Sequence, residues 1–263
     1  MSTKSRAFGI AAGLDAAVAT PLATKCEGLG YDSIWSNDTP MASGLETLAE
    51  FAKGSDSLDL GVAVIALDRA TPEEIAAKLE ETGVPKERLW LGVGAGFTRK
   101  PLTTMREALP ALREALPGVR IVLAAMGPKM CALAGSGYDG AFFNWMTPEF
   151  AASARANVEA GANEAGREPP NVFGYVRTAV GDDAAKRLAK EESFYRDMHK
   201  GYRDHFDRLG EPEGTVGVAA ADSGEAQEML ARFEALDVQV IRGLASANLE
   251  SMGALAAAAA PPA

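Results

Sequence analysis

Two stretches of this chain end in residue types that could do chemistry: SIWSNDT, which stops at Asn37-Asp38-Thr39, and IVLAAMGPKM, an apolar run that stops at Met126-Gly127-Pro128-Lys129. The Asp38 carboxylate can accept or release a proton, and it can equally cap the turn that follows it. At the second stretch Gly127 has no Cβ, so a ligand can approach its backbone, and Pro128 suits a first helical position because its missing N–H would be unpaired there anyway. The helix start beyond it would offer free N–H groups and the positive end of a helix dipole to an anion, with Lys129 adding a charge. The alternative is an ordinary strand-to-helix turn. Phe97, Asn144, Trp145 and Arg177 bring aromatic, amide and guanidinium groups to other strand ends, where Arg177 could equally form a buried ion pair. The two histidines, His199 and His205, are six residues apart and do not share a helix face, so no metal site is expected and both are read as solvent-facing.

Composition narrows the partners. The chain has 263 residues with 26 basic against 36 acidic, a net charge of −10. That balance argues against a duplex nucleic-acid surface and an anionic-membrane anchor and favours a small-molecule substrate. Cys26 and Cys131 fall in separate apolar helical segments and read as reduced, buried thiols. No apolar run reaches the ~18 residues that a membrane span needs, and MSTKSRAFGIAAGL lacks a signal-peptide core, so the expectation is a cytoplasmic protein. The segment 256–263, AAAAPPA in its last part, is expected to fray beyond a final helix over 247–259.

Short apolar or β-branched runs recur along the chain, each followed by a segment of helical period: 7–13, 33–38, 60–67, 89–96, 120–126, 140–145, 171–180 and 238–245. Helix starts are marked at Thr71-Pro72-Glu74, a capping box with proline at the first position, and at Thr147-Pro148-Glu149. A helix-like PLATKCEGLG precedes the second strand, and Pro110 marks a kink or break in MREALPALREALPG. Strands alternating with helices imply parallel right-handed crossovers. Eight such units predict an α/β chain folded as a single (β/α)8 TIM barrel over 1–263, with 183–210 as a helical excursion after strand seven. The rival, an open doubly wound sheet, fits less well because GVGAG at 92–96 lacks the dinucleotide-binding spacing. In a barrel, function lies at the C-terminal strand ends. The candidates are then Asn37 to Thr39, Ala66 to Arg69, Gly94 to Arg99, Met126 to Lys129, Asn144, Trp145, Arg177, Thr178, Arg242 and Gly243.

The segment AAMGPKMCALAGSGYDGAFFNWMTPE, with SIWSND, LGVAVI, LWLGVGAGF and VRTAVG in the same order, resembles the luciferase-like monooxygenase superfamily, in particular its branch that uses the deazaflavin coenzyme F420. The resemblance covers most of 7–245. It implies a luciferase-like barrel with a flavin or deazaflavin at the C-terminal face, F420 being favoured and FMN the alternative. It further implies that Ala124, Ala125, Met126 and Gly127 contact the cofactor, whose phosphate lies near Pro128 and Lys129. The last two barrel strands, where Arg242-Gly243 lies, are a competing phosphate location. The family also keeps a bulge in its third strand with a non-proline cis peptide behind the ring, a place that Ala63-Val64 occupies here. Asp38 matches an acidic residue beside the cofactor and is expected to be catalytic.

Two departures matter. The residue after Asp38 is Thr39 where the branch commonly has histidine, and a hydroxyl of very high pKa cannot replace imidazole as an acid near neutral pH. Phe97 stands where sugar-phosphate dehydrogenase members place a catalytic glutamate, which argues against that activity and suggests an apolar substrate wall. The insertion that normally covers the substrate after strand four is missing, so an open pocket is expected unless the excursion supplies a lid. Its stripe Phe194, Tyr195, Met198, Tyr202, Phe206 and Leu209 suits either core or a subunit interface, and superfamily members often dimerise, so a homodimer is expected. The expected function is a flavin- or deazaflavin-dependent oxidoreductase, monooxygenase or dehydrogenase/reductase, with a non-catalytic cofactor-binding or interaction protein as the alternative.

Overall fold

The computed structural model describes residues 5–262; residues 1–4 of the expected barrel span and Ala263 of the expected tail lie outside the described residues. The chain runs β1 (Ser5–Ile10), α1 (Ala16–Gly28), β2 (Ser33–Ser36), α2 (Gly44–Ala52), β3 (Asp59–Ala66), α3 (Pro72–Thr82), β4 (Leu89–Gly94), α4 (Pro101–Ala115), β5 (Arg120–Ala124) and α5 (Pro128–Gly137). It continues β6 (Gly140–Asn144), α6 (Pro148–Glu164), β7 (Asn171–Val180), α7 (Ala184–Met198), α8 (Lys200–Leu209), β8 (Val218–Ala220), α9 (Ser223–Ala231), β9 (Val238–Gly243) and α10 (Leu249–Ala258). β1 to β7 pair in sequence order, and β9 bridges β7 to β1, which closes a parallel eight-stranded barrel wrapped in helices. This is a (β/α)8 TIM barrel.

Side-chain alternation sorts the strands into two layers. Ala7, Trp35, Ala63, Val122, Phe142, Phe173, Tyr175 and Val240 fill the barrel interior. Their neighbours Phe8, Ile34, Val62, Leu123, Phe143, Val176 and Ile241 face outward under the helices. Trp35 is the centre of the interior, 5.1 Å from Phe142 and 5.2 Å from Phe173 between ring centroids. It requires a glycine on the next strand, because a Cβ at Gly61 would stand 2.0 Å from the indole. Truncating a buried tryptophan of this kind costs about 3–5 kcal/mol. The N-terminal end is plugged by Asp59, which accepts from Trp90 Nε1 at 2.9 Å and from Arg120 Nη1 at 3.0 Å. That end is therefore structural, and the opposite end is the mouth.

Helix starts follow the sequence signals where capping residues mark them. Thr71 and Glu74 form the capping box of α3 with Pro72 at its first turn, and Thr147 caps α6. Other expectations are revised. α1 begins at Ala16, capped by Asp15, five positions before the expected Pro21. α4 continues through Pro110 as one helix, with the proline on its exposed face. β8 was not anticipated; Thr178 pairs with both Val218 and Gly243, so β8 extends the edge of β7 that β6 occupies lower down. The C-terminal segment is held through Ala260, not frayed there. The Arg6 guanidinium donates to Ala259 O and Ala260 O, and Gln227 Nε2 donates to Ala258 O and Ala260 O. Cys26 and Cys131 are buried free thiols, both pushed up to about 12 by burial. Among the described residues no helix is long and apolar enough to cross a membrane.

Candidate functional site

The mouth is built by two unlike halves. On the β3 to β5 side the inward positions are small. β3 is bulged between Val62 and Ile65, with a cis peptide between Ala63 and Val64, the bond expected there. A Cβ added at Gly94 would stand 3.0 Å from Val64 Cγ2 and 3.5 Å from Ala124 Cβ, so these three residues of adjacent strands form one contiguous floor. Beyond it Ala125 is buried and donates its N–H to Phe142 O, while Met126 and Gly127 are half-buried at the rim. Gly127 is the N-cap of α5, Pro128 is in its first turn, and no side chain caps this helix. A Cβ at Gly127 would meet no protein atom within 4 Å. An uncapped helix start with open space at its cap is a ready anion cradle. Lys129 is exposed and lines a shallow outer groove with Arg106, Leu133 and Ser136, between the helices instead of over the mouth.

The rim above the floor is tied together by carboxylates. Asp38 Oδ1 accepts from the Gly44 N–H at 2.9 Å, and Asp38 Oδ2 pairs with Arg69 Nη2 at 2.9 Å. Thr39 closes its own turn, its hydroxyl accepting from the Ala42 N–H at 3.0 Å. Asp68 holds the loop after β4 by accepting from the Phe97 N–H at 2.8 Å. The β3–α3 loop therefore fixes both neighbouring loops, and Asp68 and Arg69, two of the broader strand-end candidates, are positioning residues there.

The β6, β7 and β9 side is large, aromatic and cationic. Arg177 on β7 is 2% exposed and lies opposite Arg242 on β9, itself 8% exposed. Arg177 Nη1 hydrogen-bonds the Asn144 amide oxygen, and its guanidinium carbon lies 4.2 Å from the Trp145 ring centroid and 5.1 Å from that of Tyr195. The ion pair that Arg177 could have formed is absent among the described residues. Burial pushes the Tyr202 phenol up to about 12, an effect that Asn144 opposes. Trp145 has φ +50, a left-handed conformation rare for a large side chain, and its carbonyl accepts from His205 Nε2 at 2.6 Å. Burial lowers the His205 pKa, so the ring is neutral near pH 7 and carries its proton on Nε2.

α7 and α8 cover this half. The expected single helix breaks at His199, whose ring caps α8 by accepting from the Gly201 N–H at 2.9 Å. Tyr195, Tyr202, Phe206 and Leu209 of the stripe close over Trp145, leaving Phe194 and Met198 exposed for any subunit contact. His205 is fully buried in this cluster, contrary to the solvent-facing expectation, because it supports the backbone of Trp145. Phe97 is 61% exposed, and its ring centroid lies 4.3 Å from that of His199, so the short loop after β4 meets the corner of the excursion. The excursion thus packs over the β6 and β7 side of the barrel end. Asn144, Trp145 and Arg177, singled out in the sequence, lie together on this wall with Tyr175, Tyr195 and Tyr202, which were not among the candidates. The period-2 pattern Phe173, Tyr175, Arg177 and Val238, Val240, Arg242 was the available signal that both arginines face inward.

Fold and site together define a closed (β/α)8 barrel with a small-residue floor leading to an uncapped helix start and a helix-covered, cationic opposite wall. The profile of the luciferase-like monooxygenase family matches residues 109–250, more than half of the chain. The chain belongs to that family. A 5,10-methylenetetrahydromethanopterin reductase of Methanolobus tindarius is 29% identical over 197 residues, which cover 61% of this chain. The chain spans 60% of the length of that curated relative. The F420-dependent tetrahydromethanopterin reductase of Methanopyrus kandleri superposes with a TM-score of 0.74 at 16% identity over 99% of this chain and 98% of that one. An F420-dependent secondary alcohol dehydrogenase, solved with an F420–acetone adduct, gives 0.73 at 16% identity over 96% and 97%. The oxygenating constituent of 3,6-diketocamphane monooxygenase of Pseudomonas putida, solved with FMN, gives 0.66 at 12% identity over 98% of each chain. At such identities these structures establish the shared fold.

Proposed function

We propose that this chain is an oxidoreductase that binds coenzyme F420, with FMN as the alternative, at the barrel mouth and acts on a small organic substrate. The carrying observation is the contiguous floor of Val64, Gly94 and Ala124 that ends at the uncapped start of α5. A flat ring system fits such a floor, and the open space at Gly127 fits a phosphate approaching backbone N–H groups, so the residues present suit the cofactor. Ala63, Val64, Ala124, Ala125 and Met126 would hold the ring, and Gly127 with the first turn from Pro128 would hold the phosphate. Lys129 would contribute long-range charge only. When bound, a deazaflavin supplies hydride transfer, and a flavin supplies hydride transfer or reaction with oxygen.

The chain's own contribution is binding, orientation and exclusion of water. The α5 dipole favours the anionic end of the cofactor there. The lid of α7 and α8 shields the opposite wall, where Phe97, Asn144, Trp145 and Arg177 would face the substrate. Asp38 is proposed to move a proton at Oδ2, the oxygen now paired with Arg69. One observation favours a second reading, a cofactor-binding protein without turnover: both Asp38 oxygens are engaged, and Thr39 is committed to its turn. Equilibrium titration with F420 and with FMN, followed by cofactor fluorescence, tests the proposal. Micromolar binding of one of them supports it, and absence of binding of both at high micromolar concentration contradicts it. If a cofactor binds but is neither reduced nor oxidised with any alcohol, aldehyde or ketone, the second reading is the correct one.

A further inference from the structure

The second half of the mouth contains a charge arrangement that the cofactor reading does not use. Arg177 and Arg242 are register partners on parallel neighbouring strands, two residues above Tyr175 and Val240, which fill the barrel interior. Parallel partners project to the same face, so two buried cations stand side by side at the inner wall. Burial and the neighbouring Arg242 both pull the Arg177 pKa down, opposed by Tyr195, Glu191 and Tyr202. Glu191, on the lid, is the carboxylate that acts on Arg177, yet it forms no ion pair with it among the described residues.

Several other arginines of the chain have full sets of partners. Arg6, equally buried, donates to Gln227 Oε1, Ala259 O and Ala260 O. Arg113, Arg120, Arg155, Arg187 and Arg196 each meet a carboxylate. By contrast Arg177 has a single amide acceptor for Nη1 and none for Nε, and Arg242 Nη1 reaches only the carbonyl of Gly243, at 3.1 Å. Two further buried groups around Arg177 also lack partners: the Trp145 indole N–H and the Tyr175 hydroxyl, whose rings lie 4.2 and 5.6 Å from the guanidinium carbon. Unpartnered buried polar atoms are rare, and here three of them gather at one point and all can donate.

We propose that Arg177 and Arg242, with Tyr175 and Trp145, bind an oxyanion, a carboxylate or phosphate group carried by the substrate. The planar guanidinium of Arg177 offers parallel N–H groups suited to two oxygens of such a group, and the anion supplies the countercharge that the protein omits. In a chain of net charge −10, a local pair of unneutralised cations selects for an anion at this wall and not over the whole surface. The assignment to the substrate rests on the proposed function, in which the cofactor phosphate lies across the barrel at α5.

The test is titration of the full chain with inorganic phosphate at constant ionic strength, read by calorimetry and by tryptophan fluorescence, for which Trp145 is the local reporter. Saturable binding is expected, weakened on the order of tenfold or more in Arg242→Met and largely retained in Arg242→Lys, both checked for folding by circular dichroism. Absence of saturable binding to the wild-type chain, or equal binding by a folded Arg242→Met, overturns the proposal. The second arm compares FMN with riboflavin, which lacks the phosphate. Phosphate that still binds with saturating FMN present supports a substrate site; phosphate that displaces FMN but not riboflavin overturns the substrate assignment. Should phosphate bind while neither F420 nor FMN does, the oxyanion site stands and the cofactor reading fails.

Discussion

Gly127→Val separates a binding role for the α5 cradle from a structural one. The native φ of −121° and ψ of 155° at Gly127 are extended backbone that valine adopts readily, and an added Cβ meets no protein atom within 4 Å. The folded chain therefore loses nothing, and the unfolded chain loses freedom, so stability should be unchanged or higher by about 0.4–1 kcal/mol. The new methyl groups project into the space in which a phosphate would meet the helix start. A charge-assisted hydrogen bond to a backbone N–H contributes about 1.5–3 kcal/mol, so losing one weakens cofactor binding about 10- to 150-fold. Thermal melting and F420 or FMN fluorescence titration, run on the same preparation, read both quantities. Unchanged affinity in a variant that melts like the wild type would refute the cradle, because no other protein atom stands in the way to explain a shift.

Other outcomes follow from the same geometry. Asp38→Asn keeps an acceptor for the Gly44 N–H and loses only the Arg69 ion pair, so stability should fall by about 1 kcal/mol or less while turnover drops by about 10²-fold or more; full activity would make the carboxylate a turn cap. His205 has a folded pKa below its ordinary 6.5, so below that pH the unfolded chain binds the extra proton and stability falls on acidification. Melting temperatures from pH 7.5 to 5 should therefore decline more steeply for the wild type than for His205→Gln, and parallel curves would contradict the buried neutral imidazole. Phe97→Ala removes the contact with His199 at an exposed site, so global melting should barely move while amide exchange over residues 196–202 accelerates, with no local change arguing against the lid contact.

The barrel was legible because each barrel strand and several helix starts carry local signals: the Thr71 capping box, Thr147-Pro148, and the strand ending at Gly127-Pro128. The cis peptide at Ala63-Val64 was legible only through family resemblance, since nothing in LGVAVI itself marks it. β8 escaped because Val218–Ala220 is three residues long and alanine-rich, too short for a period to register. The stripe on the excursion was visible, but its burial partner Trp145 lies about fifty residues away, so the packing of Tyr195, Tyr202, Phe206 and Leu209 against it depends on tertiary docking. The same holds for His205, whose burial comes from hydrogen-bonding a carbonyl at Trp145, and for Arg242, whose neighbour Arg177 is set by strand register. Asp38 was singled out from its place at a strand end, while its engagement with Arg69 was not readable from a spacing of 31 residues.

Amide hydrogen exchange of the full chain with and without saturating F420, repeated with FMN, tests the placement of the cofactor most directly. Protection concentrated in peptides covering 62–66, 92–96 and 124–131 is the expected result. Protection confined to the outer helical layer, or no change in those three segments with either cofactor, would contradict it.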